Sequence, residues 1–396
     1  MDELSPCDVL VVGAGPAGSM AAARTASAGI PTLLIDAKRR IGAPPHCAEF
    51  VPTRIFAEFD ISPRSIIQKI EYMETTILDK DAIRSHERKP SVQDCNDVDD
   101  LAVSLSTPAP RTRTPSPGFM IDRVQFDREL AHRAAQKGAT VLCDTKLVAV
   151  TGDHWVLRSG ARVRAVKPRY VVGADGAQST VARFLRLPWQ KFQIGVQVEV
   201  PLVQPCRHTM VFLHRSFVGG YGWVFPKGLG ANVGIGIEPG PGAMPWAVLH
   251  AFVEYLRRQR IIRRGVLSTS RGLIPVSGPR PSLFLRNVLF CGDAAGLTHP
   301  VTGAGVSQAL ISGDFAGRSI AAAMAGNGPD AGMAYDAEMK RHFGAVMKHA
   351  LAKRHYMTTR WEQRDFEALC RESWIAYKGY KKRIVRHENQ GEELHA

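Results

Sequence analysis

No run of about 18 consecutive apolar residues occurs in this 396-residue chain, so no membrane-spanning helix is expected. The opening MDELSP is acidic and lacks the charged-then-apolar pattern of a secretion signal, which points to a cytoplasmic protein. Cysteine is scarce: seven residues, an odd number, with no CxxC pair. That pattern argues for a reducing compartment, against a disulfide framework and against a zinc site, so no metal is expected. Internal repeats are absent. Positive charge is plentiful, with a formal net charge of +14. No recognition motif or interleaving of aromatic and basic residues accompanies it, so no nucleic-acid partner is expected.

What is present begins at residue 8, with DVLVVGAGPAGSMAAARTASAGIPTLLID. Val9 to Val12 read as a buried strand. A glycine-rich turn, a helix of small residues and a second apolar strand ending in Asp36 follow. Gly13, Gly15 and Gly18 stand at GxGxxG spacing, with Ala17 between the last two. The first glycine permits a tight turn, the second admits a pyrophosphate, and the third lets helix and sheet pack closely. Asp36 is placed to accept hydrogen bonds from a ribose. The whole strand–turn–helix–strand context points to an adenine dinucleotide and thus to an oxidoreductase. No second motif of this kind appears, so the chain has no nicotinamide domain of its own. Its electrons must come from transiently bound NAD(P)H or from an external carrier.

The rest of the chain reads as follows. Residues 78–118, ending in PAPRTRTPSPG, read as a loop or insertion. A helix should begin after an N-cap at Asp122, with Val124, Phe126, Leu130 and Ala134 on its apolar face, and end at Gly138. Short strands are expected at 140–143, 147–150, 155–158 and 162–165. Residues 192–275 alternate as an antiparallel sheet. The strand NVLFCGD restores α/β character, and a long helix should run from about Gly305 to Met324. The remainder reads as helical and basic, with 13 Lys or Arg against 4 Asp or Glu between Lys340 and Arg386. Those charges could be solvated helix faces or a docking surface for something anionic. Arg257, Arg258, Arg260, Arg263 and Arg264 form a second basic cluster. Asp175 in VVGADGAQST and Asp293 in CGDAAG each end a strand, and each alone could be a simple turn.

Taken in order, GAGPAG, the GADG segment at Asp175 and the GD segment at Gly292-Asp293 resemble the FAD-binding pattern of the flavoprotein monooxygenase superfamily. Arg123 in IDRVQFDREL matches an arginine that superfamily places near the flavin. Within it, IGAPPHCAEFVP, with Cys47, Ala48 and Glu49, and GGYGWVFPKGLGANVGIG, with Tyr221, Trp223, Phe225, Pro226, Lys227 and Asn232, look most like geranylgeranyl reductases. The resemblance implies FAD as cofactor. It implies an α/β fold with a discontinuous Rossmann-like FAD domain (1–77, 119–190, 276–330), an inserted antiparallel substrate layer (78–118, 191–275) and a helical basic C-terminal region (331–396). It places Asp293 by the ribityl-pyrophosphate. The helix after Gly303-Ala304-Gly305 would aim its N-terminus at the isoalloxazine, where a partial positive charge favours the anionic reduced flavin.

By the same resemblance, Cys47 lies beside the flavin as a candidate acid, Tyr221 is second, and the Tyr-x-Trp-x-Phe-Pro strand with Trp223 lines the substrate cavity. On periodicity alone the aromatics could be core residues and Cys47 a small hydrophobe. The turn Thr302-Gly303-Ala304-Gly305 lacks the Glu usual in such reductases. The reading is therefore an FAD-dependent oxidoreductase acting on a bulky apolar or aromatic substrate, anionic or protein-borne in some versions. Saturation of prenyl C=C bonds comes first. Hydroxylation of an aromatic ring, such as a protein tryptophan in quinone cofactor maturation, is the alternative. A non-catalytic flavoprotein partner is a third option. A halogenase fits less well because no WxWxIP segment occurs, although Lys227 could serve one. Peripheral contact with a membrane through the basic tail stays open.

Overall fold

The computed structural model describes residues 7–83, 111–240, 243–326 and 330–382. Most of the expected 78–118 insertion lies outside these residues. A six-stranded sheet organises the nucleotide-binding half. Its spatial order is Phe284–Leu285, Val288–Phe290, Tyr170–Gly173, Val9–Val12, Thr32–Ile35 and Thr140–Leu142. All neighbours except the first pair run parallel. Both faces of a parallel sheet are covered, which is why the strands Val9–Val12, Thr32–Ile35 and Val288–Phe290 are buried along their whole length. The helices Pro16–Ser27 and Val306–Met324 pack on one another so tightly that a Cβ on Gly313 would lie 2.1 Å from the Ala17 carbonyl oxygen.

The helix Arg123–Gln136 starts as expected, with the Asp122 side chain accepting from Gln125 N at 2.9 Å. A small antiparallel sheet follows, formed by Thr145–Thr151, His154–Ser159 and Arg162–Val166.

The second layer is an eight-stranded sheet in the order 268–275, 192–201, 230–237, 221–227, 208–213, 66–77, 111–121 and 50–52. The sheet expected over 192–275 is interrupted by the helix Pro245–Arg258, whose Leu249, Phe252, Val253 and Leu256 are buried at helical spacing. The layer departs from expectation in two further ways. The strand Ile66–Ile77, assigned above to the FAD part, lies in this sheet and pairs parallel with His208–Leu213, so the sheet is mixed rather than antiparallel throughout. The stretch RTRTPSPG, expected as loop, is extended within the strand Arg111–Ile121. Its prolines are tolerated because the short strand Phe50–Pro52 pairs only with Gly118 to Met120, leaving Pro115 and Pro117 without a strand partner on that side among the described residues.

The C-terminal region is helical, over Ala331–Thr359, Phe366–Ser373 and Lys378–Lys381. It is not an appendage. Tyr335, Met339, Phe343 and Met347 join the core of the nucleotide half, while Met357, Trp361, Phe366, Leu369 and Trp374 pack with Met73, Val211 and Leu213 of the large sheet. Part of its positive charge is internal. Lys353 donates to the carbonyls of Glu372 and Gly379 at 2.8 Å each, and buried Arg354 pairs with Glu238 at 2.5 Å and donates to Pro300 O at 2.9 Å. For these two residues, both expected alternatives, solvated face and docking surface, are replaced by a structural role. No helix among the described residues is long and apolar enough to cross a membrane.

Candidate active site

The glycine-rich turn separates its three glycines by function. A Cβ on Gly13 would lie 2.3 Å from the Ala174 carbonyl oxygen, and one on Gly18 would lie 1.8 Å from that of Gly13. Gly13 also has φ +103°, a region that favours glycine. Both glycines serve the fold itself. A Cβ on Gly15 would meet nothing within 4 Å. The open space lies at the N-terminus of helix Pro16–Ser27, which has no side-chain cap, so its first backbone N–H groups are available to an anion. Asp36 Oδ2 accepts from Ala14 N and Oδ1 from Lys38 N, both at 2.8 Å. Each oxygen retains a lone pair that a ribose hydroxyl could use. This arrangement fits the ADP half of FAD.

Further along, Gly292-Asp293 follows the strand Val288–Phe290. Asp293 is half-buried, and desolvation pushes its carboxyl up, against the Thr298 hydroxyl donating at 2.6 Å and the charge of Arg123. A Cβ on Gly305 would lie 3.2 Å from Asp293 Oδ1, so the carboxylate sits beside the N-terminus of helix Val306–Met324. That helix also starts without a side-chain cap. Gly303, with φ +69°, packs its Cα side against Ile274. Asp175 is the exception among the predicted ligands. Its carboxylate is occupied locally, by the Ser179 hydroxyl and Thr180 N at 2.6 Å and by Val181 N at 3.0 Å. It shapes the turn behind Gly13 through its backbone.

The centre of the site is a buried network around Glu49. This residue has φ +70° and is 3% exposed. Its Oε2 accepts from Lys227 Nζ at 2.7 Å and from Asn232 Nδ2 at 2.8 Å, and its Oε1 accepts from Arg123 N at 3.1 Å. Asn232 also donates to Ala48 O at 3.3 Å. Glu49 N in turn donates to Cys47 Sγ at 3.2 Å, and Gln197 Nε2 donates to Cys47 O at 3.0 Å. The loop bearing Cys47 is thus clasped to the strand bearing Tyr221, Trp223 and Lys227. The Arg123 guanidinium, beside the Cys47 sulfur, forms a bidentate pair with Asp127 at 3.0 Å. Burial pushes the Asp127 carboxyl up, and Arg123 opposes that.

The aromatics form a wall. Tyr221 lies 5.8 Å from Trp223 and 4.8 Å from Trp374, Trp223 lies 6.5 Å from Phe225, and Phe225 lies 6.2 Å from Phe50. The Tyr221 hydroxyl donates to Thr302 O at 2.6 Å, and burial pushes its phenol up. Trp223 Nε1 and Gln197 Oε1 are buried without a hydrogen-bond partner among the described residues. The two side chains flank Gly234, where a Cβ would lie 2.3 Å from the indole and 2.6 Å from Gln197 Cβ. An unpaired donor and acceptor side by side suit a polar group entering the site.

Sequence reasoning missed Asp127, Gln197 and Trp374. Asp127 carried a signal, standing four residues after Arg123 on the same helix face. Gln197 is a polar residue in an apolar strand, and Trp374 carried no local signal. Lys227 is present, but its ammonium is held by Glu49.

Comparison with known proteins adds the following. A family model described as an FAD binding domain matches residues 6–47 and 64–222, and one described as lycopene cyclase protein matches residues 241–383. A digeranylgeranylglycerophospholipid reductase of Methanocaldococcus jannaschii is 31% identical over 330 residues, covering 79% of this chain and 77% of that protein. Digeranylgeranylglycerophospholipid reductase 3 of Methanosphaera stadtmanae is 31% identical over 334 residues, covering 80% and 78%. Among solved structures, a geranylgeranyl bacteriochlorophyll reductase-like protein of Thermoplasma acidophilum superposes with a TM-score of 0.74 at 21% identity, covering 95% of this chain and 92% of that one. A flavin-dependent brominase variant shares the fold with a TM-score of 0.68 at 16% identity, covering 92% and 93%.

Proposed function

The chain belongs to the digeranylgeranylglycerophospholipid reductase family and is an FAD-dependent oxidoreductase, and from that premise we propose that it saturates C=C bonds of a prenyl lipid. The observation that carries the proposal is the clasp of Glu49 to Lys227 and Asn232. It ties together the two segments that resemble geranylgeranyl reductases, and it does so beside the aromatic wall.

Reduced FAD supplies the hydride for such a reaction. The turn at Gly13–Gly18, with Asp36, would bind its ADP half, and Asp293, Arg123, Gly303 and Gly305 would border the rest. A prenyl chain would lie along Tyr221, Trp223 and Phe225, where apolar surface excludes water. The second hydrogen arrives as a proton, and Cys47 is the group we assign to give it. Glu49 N–H and the Arg123 guanidinium both face its sulfur and would stabilise the thiolate left behind. Tyr221 fits this role less well, because its hydroxyl is spent on Thr302 O. It holds the turn before helix Val306–Met324 in place. The enzyme would draw its electrons from NAD(P)H or a carrier and meet its substrate at a lipid surface.

The test is anaerobic incubation of chemically reduced protein with a detergent-dispersed prenyl lipid, followed by mass spectrometry. The proposal expects a gain of two hydrogens per saturated double bond, abolished in Cys47→Ala at unchanged FAD content. An unchanged lipid, together with rapid oxygen-dependent hydroxylation of an aromatic substrate, would overturn it.

A further inference from the structure

We infer that one end of the large sheet is a docking surface for an anionic lipid bilayer, an inference that rests on the prenyl-lipid reading. At this end the strand Phe192–Pro201 terminates between two exposed apolar tips. On one side Leu229, at the turn after Lys227, is 80% exposed and fixed by its carbonyl accepting from Leu202 N at 2.9 Å. On the other side Leu267 is 66% exposed and anchored by its N–H to Glu199 O at 2.8 Å, with Val266, 43% exposed, beside it. The two tips flank a single strand and so stand about 10 Å apart, two strand spacings. Leucines at 80% and 66% exposure on rigid turns are costly in water and suited to insertion among acyl chains.

The surround of these tips is cationic. Arg263 is exposed, held by its N–H to Pro201 O at 2.8 Å and by Nη2 to Val203 O at 3.3 Å. Arg260, also exposed, precedes it. Gln68 joins the Leu229 turn to the neighbouring loop, accepting from Gly228 N at 2.7 Å and donating to Cys206 O at 3.0 Å. This brings exposed Arg207 and Lys69 to the same end. The acids there are Glu199, which accepts from the Ser268 hydroxyl, and Glu71, which faces Arg207 at 3.9 Å. Apolar tips ringed by arginine match the interface of an anionic membrane, where each cation near the surface adds attraction.

The location gives the surface a purpose. Leu229 is two residues from Lys227, whose ammonium holds Glu49 beside Cys47. A membrane seated on this end lies next to the site, so a prenyl chain could pass from bilayer to aromatic wall without crossing water. This surface is separate from the basic C-terminal tail.

The test is flotation of the FAD-bound full chain with vesicles of equimolar phosphatidylglycerol and phosphatidylcholine, and with vesicles of phosphatidylcholine alone. Wild type should float with the anionic vesicles and lose them in high salt. Leu229→Ser with Leu267→Ser, and separately Arg260→Glu with Arg263→Glu, should each lower the partition coefficient at least about tenfold. Met244→Ser with Trp246→Ser, a second exposed apolar pair at the opposite end of helix Pro245–Arg258, should change it less than about twofold. The leucine variant should keep wild-type activity on detergent-dispersed prenyl lipid and lose it on the same lipid in vesicles. Equal flotation of all variants overturns the proposal, as does equal loss in the Met244 and Trp246 control. So does a leucine variant that only changes from dimer to monomer in sedimentation. Absence of saturation in detergent would instead overturn the prenyl-lipid reading, because flotation requires no turnover.

Discussion

Glu49 and Lys227 should be energetically coupled, and the coupling can be measured. Glu49 is a nearly inaccessible carboxylate with three donors, one of them an ammonium at 2.7 Å. Hydrogen bonds to a charged group contribute about 1.5–3 kcal/mol each, and removing one partner of a buried pair costs about 3–5 kcal/mol. Lys227 is 20% exposed at its side chain, so its charge regains some water when Glu49 is lost. Glu49→Gln should therefore cost about 2–3 kcal/mol, the lower part of those ranges. It keeps the volume but turns an amide N–H toward another donor. Lys227→Met should cost more, about 3–4 kcal/mol, because it leaves a 3%-exposed carboxylate with only Asn232 and one backbone N–H.

The double variant should then lose about 1.5–3 kcal/mol less than the sum, since neither charge remains buried alone. The assay is urea unfolding of all four proteins at one fixed, saturating FAD concentration, with the FAD affinity of each measured separately and its RT ln(1 + [FAD]/Kd) contribution subtracted. Additivity within about 0.5 kcal/mol would refute the reasoning. The same variants should show faster alkylation of Cys47, because they loosen the side-chain clasp that holds the Cys47–Glu49 loop against the strand Tyr221–Lys227.

Gly15→Val should fold and unfold like wild type yet lack most of its flavin, because a side chain there meets only the space the pyrophosphate would use, and absorbance of the purified protein checks it. By contrast, Gly13→Ala should lower the unfolding midpoint even in the absence of FAD, because it collides with the Ala174 carbonyl and needs φ +103°. His299 is neutral in the fold: burial, with a smaller push from His349, lowers it to about 4 from 6.5. The unfolded chain therefore binds the extra proton between those values. Stability contributed by His299 is present above pH 6.5 and lost as pH falls toward 4, by roughly 2 kcal/mol between pH 7 and 5, and His299→Asn should flatten that slope in urea titrations. Arg354→Met should cost about 3–5 kcal/mol in the same measurement, because it strips donors from two buried carbonyls and from Glu238, whereas reversing the exposed Lys348 should change stability by less than about 0.5 kcal/mol.

Elements whose cause is local were legible in the sequence. The first βαβ unit is written in its apolar runs and glycine spacing, the helix at Arg123 in its Asp122 cap, and the strands between 192 and 237 in their alternation, whereas the helix Pro245–Arg258 was read as sheet. The strand Arg111–Ile121 was not, because Pro115 and Pro117 are compatible with a strand only at an open edge, and position in the sheet is a tertiary fact. The site divides the same way. Gly15 and Asp36 announce themselves by motif. The partners of Glu49 stand 178 and 183 residues away, so no spacing rule could pair them.

The C-terminal region shows how charge can mislead when read alone. Its many lysines and arginines suggested a surface, yet the same segment supplies Trp374 to the aromatic wall and Tyr380 to the His299 ring, 3.3 Å away. His299 and Thr302 belong to the turn that precedes helix Val306–Met324, and Thr302 carries the carbonyl that receives Tyr221. One helical region therefore braces both the strand Tyr221–Lys227 and the turn before helix Val306–Met324. A basic residue buried there acts by donating to carbonyls, so its positive charge says little about the partners of the protein. At Leu229 and Leu267 the arrangement differs, because there exposed cations stand around exposed apolar side chains.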